Sequence, residues 1–320
     1  MQLSNEQKLK VYETMLLIRE SELKMWELFK KGEIEGHILP CLGQEAIPSA
    51  LAQVYTADDI LITGHRGGGH YFARGCDYNG FWGEMYGRVT GVTRGRGGQI
   101  HLMDISKKAL TGNAIVAAQW GIAAGAGFAA KRDGVVCVCV GGEASTNRGP
   151  FHESLNMASA LDLPILYMVE FNDRQMWNSW AEVAAVGRVA TRALAYGMEG
   201  ATVDGNDPDA IFAQASAFME KIRAGGKPCL LECITGKWTD SVNNVRNNPE
   251  IIESYKQPDK DPILRYETKL KAQGILDDAL DAEIKQLVQD KISAGIEFGR
   301  NSEEPDIHDG IDQVYSQPIA

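Results

Sequence analysis

The sequence predicts an α/β protein with a doubly wound parallel sheet and helices on both faces of that sheet. Short apolar runs typical of buried strands occur at 59–63, 135–140, 165–169 and 228–234, and a further strand is expected at 199–203. Segments with helical periodicity separate these runs, and this alternation indicates βαβ units whose successive strands run parallel. With 320 residues and 44% apolar composition, the chain can bury the large core that such a sheet requires.

The helices can be placed in order from the spacing of apolar residues. Amphipathic helices are expected over 1–35, and a further helix is expected at 45–55. The Ala- and Gly-rich segment 117–131 suits a helix that packs closely against the sheet or against a second subunit. The segment 151–161 carries apolar residues at helical spacing.

The end of the chain differs in pattern from the part before it. After Thr235 the sequence becomes polar as far as Asp261, and we expect a loop there. From Pro262 onward two amphipathic helices return. We therefore predict an α/β domain at 1–261 and a C-terminal helical extension at 262–320.

Charge and cysteine content argue against several classes of protein. The net charge is −11 and no basic run is present, which argues against a surface for nucleic acid or anionic lipid. The start, MQLSNEQKLKVYETMLLIRESE, intersperses charges with apolar residues, unlike a signal peptide. No run approaches the ~18 apolar residues of a membrane span. The six cysteines show no zinc-type pairing and suit the core of a reduced, cytoplasmic protein.

Two polar residues follow neighbouring predicted strands at the point where each strand ends. The run 135–140 is expected to break in a tight turn at Gly141-Gly142, just before Glu143, and Asn172 follows the run 165–169. The carboxyl ends of parallel strands meet at one edge of the sheet, where α/β proteins bind ligands. A carboxylate with an amide oxygen suits Mg²⁺ that holds a phosphate. The sequence therefore predicts a magnesium and phosphate site at this edge.

This order of elements resembles the thiamin-diphosphate motif, in which Gly-Asp-Gly is followed at a distance by Asn-Asn. Gly142-Glu143-Ala144 matches the first part and Phe171-Asn172 matches the second. Other segments resemble motifs of the alpha subunits of 2-oxoacid and acetoin dehydrogenases, in the same order, so that the likeness covers nearly the whole chain. These segments are Leu42 to Ala46, Thr63 to His70, Arg94 to His101, Gly112 to Gln119 and Val203 to Asp207.

The resemblance implies the thiamin-diphosphate-binding fold and a set of site residues. The metal ligands would be Glu143, Asn172 and the backbone carbonyl of Arg174. His70 matches a family histidine directed towards the active-site channel and is our candidate catalytic residue. The residues expected to bind the cofactor, through its diphosphate, its metal or its aminopyrimidine, are His65, Arg66, Gly112, Ile115, Val116, Gly142, Glu143, Ala144 and Asn172.

The resemblance also implies partners and an activity. A separate beta subunit would complete the active site in an assembly of two alpha and two beta chains. The enzyme would act on a small carbonyl substrate, a 2-oxoacid or an acyloin, with thiamin diphosphate and Mg²⁺ as cofactors. In the dehydrogenases of this family the acyl group passes to a lipoyl acyltransferase.

The segment after Thr235 departs from the family, which has a His-Gly-His-Ser segment there. This chain has no histidine in that stretch, and only Lys237, Asp240 or Ser241 could supply polar chemistry. Phe171 and Trp177 are also bulkier than their family counterparts. Two alternatives therefore stay open beside a dehydrogenase: a non-oxidative carboligase or ketol transferase, and a non-catalytic structural subunit.

Overall fold

The computed structural model describes residues 1–175, 178–239, 253–306 and 308, and its centre is a six-stranded sheet. All strand pairs in this sheet are parallel. The strands are β1 (Ile60–Ile62), β2 (Ala109–Thr111), β3 (Cys137–Gly142), β4 (Ile165–Phe171), β5 (Glu199–Asp204) and β6 (Cys229–Ile234). Their order across the sheet is β2-β1-β3-β4-β6-β5, so the chain winds in both directions from the centre, as predicted.

Helices cover both faces of the sheet. The α-helices are α1 (Asn5–Lys30), α2 (Ala46–Leu51), α3 (Gly68–Ala73), α4 (Tyr78–Met85), α5 (Ala118–Asp133), α6 (Gly149–Ala160), α7 (Trp180–Val183), α8 (Pro208–Arg223), α9 (Pro262–Ala272) and α10 (Asp278–Asn301). Short 3₁₀ helices lie at Gln99–His101, Ile105–Lys107, Glu143–Asn147 and Val189–Tyr196.

The core is divided into two layers by the central strands. Every residue of β4 is buried, and successive side chains point to opposite faces. Leu166 and Met168 join the cluster that contains residues of α1, α2 and α8. Tyr167 and Val169 join the cluster that contains residues of α5 and α6. Burial on both faces explains why these strands appear in the sequence as continuous apolar runs. The predicted α/β class is therefore confirmed.

Two details of the sequence prediction were wrong. Gly141 and Gly142 do not form a tight turn, because β3 continues through both of them. Gly141 is required by close approach instead, since a Cβ atom there would lie 2.6 Å from the Trp120 ring. The edge strand β2 was not predicted, and its three residues are too few to show a periodic pattern.

The C-terminal helices pack against α1 and α4. α9 begins at Pro262 after Asp261, whose side chain accepts a hydrogen bond of 2.9 Å from the Ile263 amide. α10 packs along α4 and α1. The division between 261 and 262 stays a prediction. Within the described part of the chain, no helix combines the length and the apolarity that a bilayer crossing demands.

Candidate functional site

A cavity of about 680 Å³ lies at the carboxyl edge of the sheet, beyond the ends of β1, β3 and β4. Gly112 and Ile115 do not line it: Gly112 borders a smaller neighbouring cavity, and the Ile115 side chain is 68% exposed. The other predicted site residues line this one cavity, namely His65, Arg66, His70, Val116, Gly142, Glu143, Ala144, Asn172 and Arg174.

Glu143 is a buried carboxylate in the lining of this cavity. It begins the 3₁₀ helix that follows β3, and it is 1% exposed. Its Oε1 accepts a hydrogen bond of 2.8 Å from the Arg174 amide, and its Oε2 accepts one of 3.3 Å from the Asn172 amide. Burial raises the pKa of Glu143 to about 7, although these hydrogen bonds and Lys237 act against the rise. A bound cation would favour the ionised form.

Asn172 follows β4 and presents a buried oxygen without a partner. Its Nδ2 donates to Gln44 Oε1 at 3.0 Å, whereas Oδ1 has no hydrogen-bond partner among the described residues. A buried oxygen that accepts no hydrogen bond is energetically unfavourable unless a bound ligand interacts with it. Together with the Glu143 carboxylate this oxygen is hard ligation, so the residues present fit Mg²⁺.

The expected ligand set contains one carboxylate, one amide oxygen and one backbone carbonyl. Within the residues that the structure describes there is no cluster of three or more histidine, cysteine, aspartate or glutamate side chains that could hold a metal. Magnesium sites commonly use one or two carboxylates and complete the coordination with phosphate oxygens and water. A metal here would therefore depend on a phosphate ligand.

Arg66 and His65 lie at the other side of the cavity, at the turn that follows β1. Arg66 Nη1 donates to the Pro40 carbonyl oxygen at 2.9 Å, which fixes part of its guanidinium. Burial lowers the pKa of His65 to about 4, and the nearby charges of Arg66 and Lys237 add to this effect. The imidazole is thus neutral at pH 7, where it can donate one hydrogen bond to an anion while Arg66 supplies positive charge.

His70 lies on α3 and is buried. Its Nε2 lies 2.8 Å from Oε1 of Glu170, the glutamate near the end of β4. Its Nδ1 is buried and has no hydrogen-bond partner among the described residues. Because a carboxylate accepts hydrogen bonds, Nε2 carries a proton, and in the neutral imidazole Nδ1 then presents a lone pair. This arrangement could accept a proton from a molecule in the cavity.

Two residues of the site were missed by the sequence analysis. Gln44 contacts both Asn172 and Glu170, and all three line the cavity. The sequence does indicate Glu170, because a charged residue at the end of a buried apolar strand needs a hydrogen-bonding or charged partner. No comparable signal identified the contacts of Gln44, which lies in a turn far away in the sequence.

The segment after β6 contributes Lys237 to the cavity. This lysine is only 8% exposed, and it acts on the pKa values of both Glu143 and His65. The next residue, Trp238, is held by a 3.0 Å hydrogen bond from its amide to the Leu42 carbonyl oxygen. Three other residues weighed from the sequence lie outside the described residues, namely Trp177, Asp240 and Ser241.

Comparison with known proteins identifies a family for this chain. The model of the family described as "Dehydrogenase E1 component" matches residues 12–308. The alpha subunit of acetoin:2,6-dichlorophenolindophenol oxidoreductase from Bacillus subtilis is 33% identical over 98% of this chain and 95% of that protein. The pyruvate dehydrogenase E1 component alpha subunits from Rhizobium meliloti and Rickettsia bellii are 32% and 30% identical, over 95% and 97% of this chain and 88% and 96% of those proteins.

Proposed function

Because this chain belongs to the dehydrogenase E1 component family, we propose that it is the alpha subunit of a thiamin-diphosphate-dependent enzyme that oxidises a 2-oxoacid or an acyloin. The observation that carries this proposal is that one cavity holds the buried Glu143 carboxylate together with Asn172 Oδ1, which has no hydrogen-bond partner among the described residues. A hard divalent cation that holds a diphosphate would complete both groups.

The residues of the cavity divide between the metal and the diphosphate. Glu143, Asn172 and the backbone carbonyl of Arg174 would hold Mg²⁺. Arg66 would pair with two phosphate oxygens at once through its planar guanidinium, and the neutral His65 would donate a hydrogen bond. Gly142 and Ala144 flank Glu143 and would allow the diphosphate to approach the backbone. Val116, from the cavity lining, and Gly112 and Ile115, from outside it, are proposed to contact the aminopyrimidine.

Thiamin diphosphate, when bound, supplies an electron sink for the carbanion that forms at the carbonyl carbon of the substrate. The protein would contribute positioning and proton transfer. We propose that His70 accepts or returns a proton at Nδ1, since Glu170 accepts a hydrogen bond from its Nε2–H and no described residue pairs with Nδ1.

A beta subunit is the proposed partner, in an assembly of two alpha and two beta chains. Helices α5 and α6 pack against each other. Their outer surface exposes apolar side chains to solvent, including Ile122, Phe128 at 57% exposure and Met157 at 50%. Exposed apolar faces of this kind mark subunit interfaces. For a dehydrogenase, a lipoyl acyltransferase would be the further partner that receives the acyl group.

The two proposed parts of the chain would have different roles, one in cofactor binding and one in support of the fold. The α/β domain at 1–261 would carry the cofactor residues, and in the extension at 262–320 helix α10 would support α1 and α4, against which it packs. All six cysteines are buried and free, which supports the proposed cytoplasmic location.

A non-oxidative carboligase is the second candidate, and Lys237 favours it. The resemblance places a histidine near the diphosphate, where this chain has a buried lysine that lines the cavity. A lysine keeps positive charge but is a poor proton carrier near pH 7, unlike histidine. We therefore expect weak lipoyl-linked oxidation of pyruvate and better turnover with another carbonyl donor or acceptor.

Cofactor binding is tested by calorimetry on this chain co-expressed with its beta subunit, with thiamin diphosphate and Mg²⁺ as titrants. Glu143→Gln keeps the size of the side chain but removes its charge. This variant should lose Mg²⁺-dependent affinity for thiamin diphosphate. The loss should exceed the decrease of about 10–100-fold that is typical when a residue outside the ligand shell is changed. Glu143→Asp restores the family residue and should bind equally well or better. Unchanged affinity in Glu143→Gln would contradict the metal assignment.

The reaction is tested with the same complex. Dye reduction with pyruvate or acetoin, acetylation of a lipoyl domain and a carboligation screen would be measured in parallel. Fast pyruvate-dependent acetylation would identify an ordinary dehydrogenase and remove the carboligase candidate. Failure of the wild-type complex to bind thiamin diphosphate would instead favour the non-catalytic subunit.

A further inference from the structure

Four buried side chains at the edge of the cavity form a continuous hydrogen-bonded series, which we call the buried tetrad: His70, Glu170, Gln44 and Asn172. His70 Nε2 lies 2.8 Å from Glu170 Oε1, and Gln44 Nε2 donates to Glu170 Oε2 at 3.3 Å. Gln44 Oε1 accepts from Asn172 Nδ2 at 3.0 Å. Each end of the tetrad is a buried atom without a partner among the described residues, His70 Nδ1 at one end and Asn172 Oδ1 at the other.

The direction of every hydrogen bond in the tetrad follows from the carboxylate at its centre. A carboxylate only accepts, so Gln44 must turn its NH₂ group towards Glu170 and its oxygen towards Asn172. Asn172 must then turn its NH₂ group towards Gln44, which leaves Oδ1 directed away from it. On the other side the same carboxylate accepts a hydrogen bond from the Nε2–H of His70, so that the lone pair of the neutral imidazole is on Nδ1.

We infer that Glu170 is a positioning residue that, through Gln44, orients Asn172 Oδ1 as a metal ligand and at the same time fixes the tautomer of His70. The inference rests on the proposed function, because it assumes that Asn172 binds the metal. Only a carboxylate can serve both neighbours, since an amide at this position has one accepting side and one donating side.

The tetrad is built on rigid elements, so these directions are maintained. Glu170 lies in β4, between β3 and β6. Gln44 lies in a turn whose Gly43 amide donates to Glu45 at 2.9 Å and whose Gly43 carbonyl accepts from Thr235 at 3.2 Å. Glu45 is itself held by the buried Arg19 guanidinium. Outer-shell groups fixed in this way typically change metal affinity by about 10–100-fold when they are altered.

The test measures Mn²⁺ binding by electron paramagnetic resonance, in the presence of thiamin diphosphate, on the full chain co-expressed with its beta subunit. Gln44→Met removes the link between Glu170 and Asn172 but leaves the Glu170–His70 pair. We expect it to weaken Mn²⁺ binding about 10–100-fold. The matched control is Glu232→Gln on β6, a buried glutamate that accepts from the Val189 amide at 3.1 Å, outside the cavity lining. It should leave Mn²⁺ affinity unchanged.

A double substitution separates orientation from general disruption. Glu170→Gln allows Gln44 to reverse, so that its NH₂ group faces residue 172. Asn172→Asp should then restore Mn²⁺ binding, because a carboxylate presents oxygen on both sides. In the background that keeps Glu170, the same Asn172→Asp should weaken Mn²⁺ binding, since two oxygens then face each other. A merely structural role for Glu170 would not produce this reversal of sign.

Two results would overturn the inference. One is Mn²⁺ affinity in Gln44→Met within threefold of the wild type, and the other is failure of Asn172→Asp to improve Mn²⁺ binding in the Glu170→Gln background. In either case the wild type still binds Mn²⁺ with thiamin diphosphate, and the proposed function survives. A wild type that does not bind Mn²⁺ with the cofactor would overturn both. Circular dichroism on each variant confirms that the fold is present.

Discussion

Glu84 organises the Gly-rich loop 93–98, and its replacement by glutamine should release that loop. The buried carboxylate on α4 accepts hydrogen bonds from the backbone amides of Thr93, Gly95, Gly97 and Gly98 and from the Thr93 hydroxyl, over 2.6–3.0 Å. Burial alone would raise the pKa of Glu84, but these donors outweigh it and hold the pKa below its usual value. The stabilisation is therefore present at neutral pH and is lost as the pH falls through the folded-state pKa.

The magnitude follows from the number of donors that a glutamine cannot serve. Oε2 accepts from Thr93 and Gly95, and Oε1 accepts from the remaining donors. Whichever carboxylate oxygen is replaced by NH₂, at least two donors lose their acceptor. Each unsatisfied donor costs about 1–3 kcal/mol of stability. A local loss of about 3 kcal/mol corresponds to a ~100-fold larger population of the open loop.

Trypsin cleavage measures that population, because the exposed Arg94 and Arg96 lie within the loop. We expect Glu84→Gln to be cut at these arginines ~100-fold faster than the wild type. Glu283→Gln removes the same charge from an exposed position on α10 and should leave the rate unchanged. An increase of less than about threefold in Glu84→Gln would refute the assignment of the loop's order to this carboxylate.

Three further features are tested by substitution, the first of them with a paired control. Ala117 has φ of +79°, so Ala117→Gly should stabilise the protein by about 0.5–1 kcal/mol in urea unfolding, whereas Ala126→Gly within α5 should destabilise it by about 1 kcal/mol. Asp59→Asn should lower stability at pH 7, because Arg223 and backbone amides outweigh burial and hold the pKa of Asp59 down. The difference from the wild type should shrink as the pH falls below about 4. Lys237→Met should weaken thiamin diphosphate binding about 10-fold in calorimetry, through loss of a charged contact.

The sheet was predictable because its central strands are buried on both faces and therefore stand out as apolar runs. β3 and β4 were located closely for this reason, and the positions of Glu143 and Asn172 followed from the rule that ligands bind at the carboxyl edge. β2 was not predictable in the same way, because a three-residue edge strand has no pattern of its own. The prediction of a tight turn at Gly141 was wrong, because the glycine allows close approach of the Trp120 ring and is not part of a turn.

The orientation of the site residues could not be predicted, because it depends on contacts between distant parts of the sequence. Glu170 and Gln44 are 126 positions apart, and nothing local to either residue indicates the other. A partly satisfied buried polar network is less favourable than an apolar core, so stability alone would not keep the buried tetrad. Its members are joined by hydrogen bonds, and the atoms at its two ends, His70 Nδ1 and Asn172 Oδ1, have no partner in the described part of the chain and belong to residues that line the cavity. That pattern is explained if a ligand completes the tetrad, which is why the metal-binding experiments on Gln44 and Glu170 test the function of this site as well as its geometry.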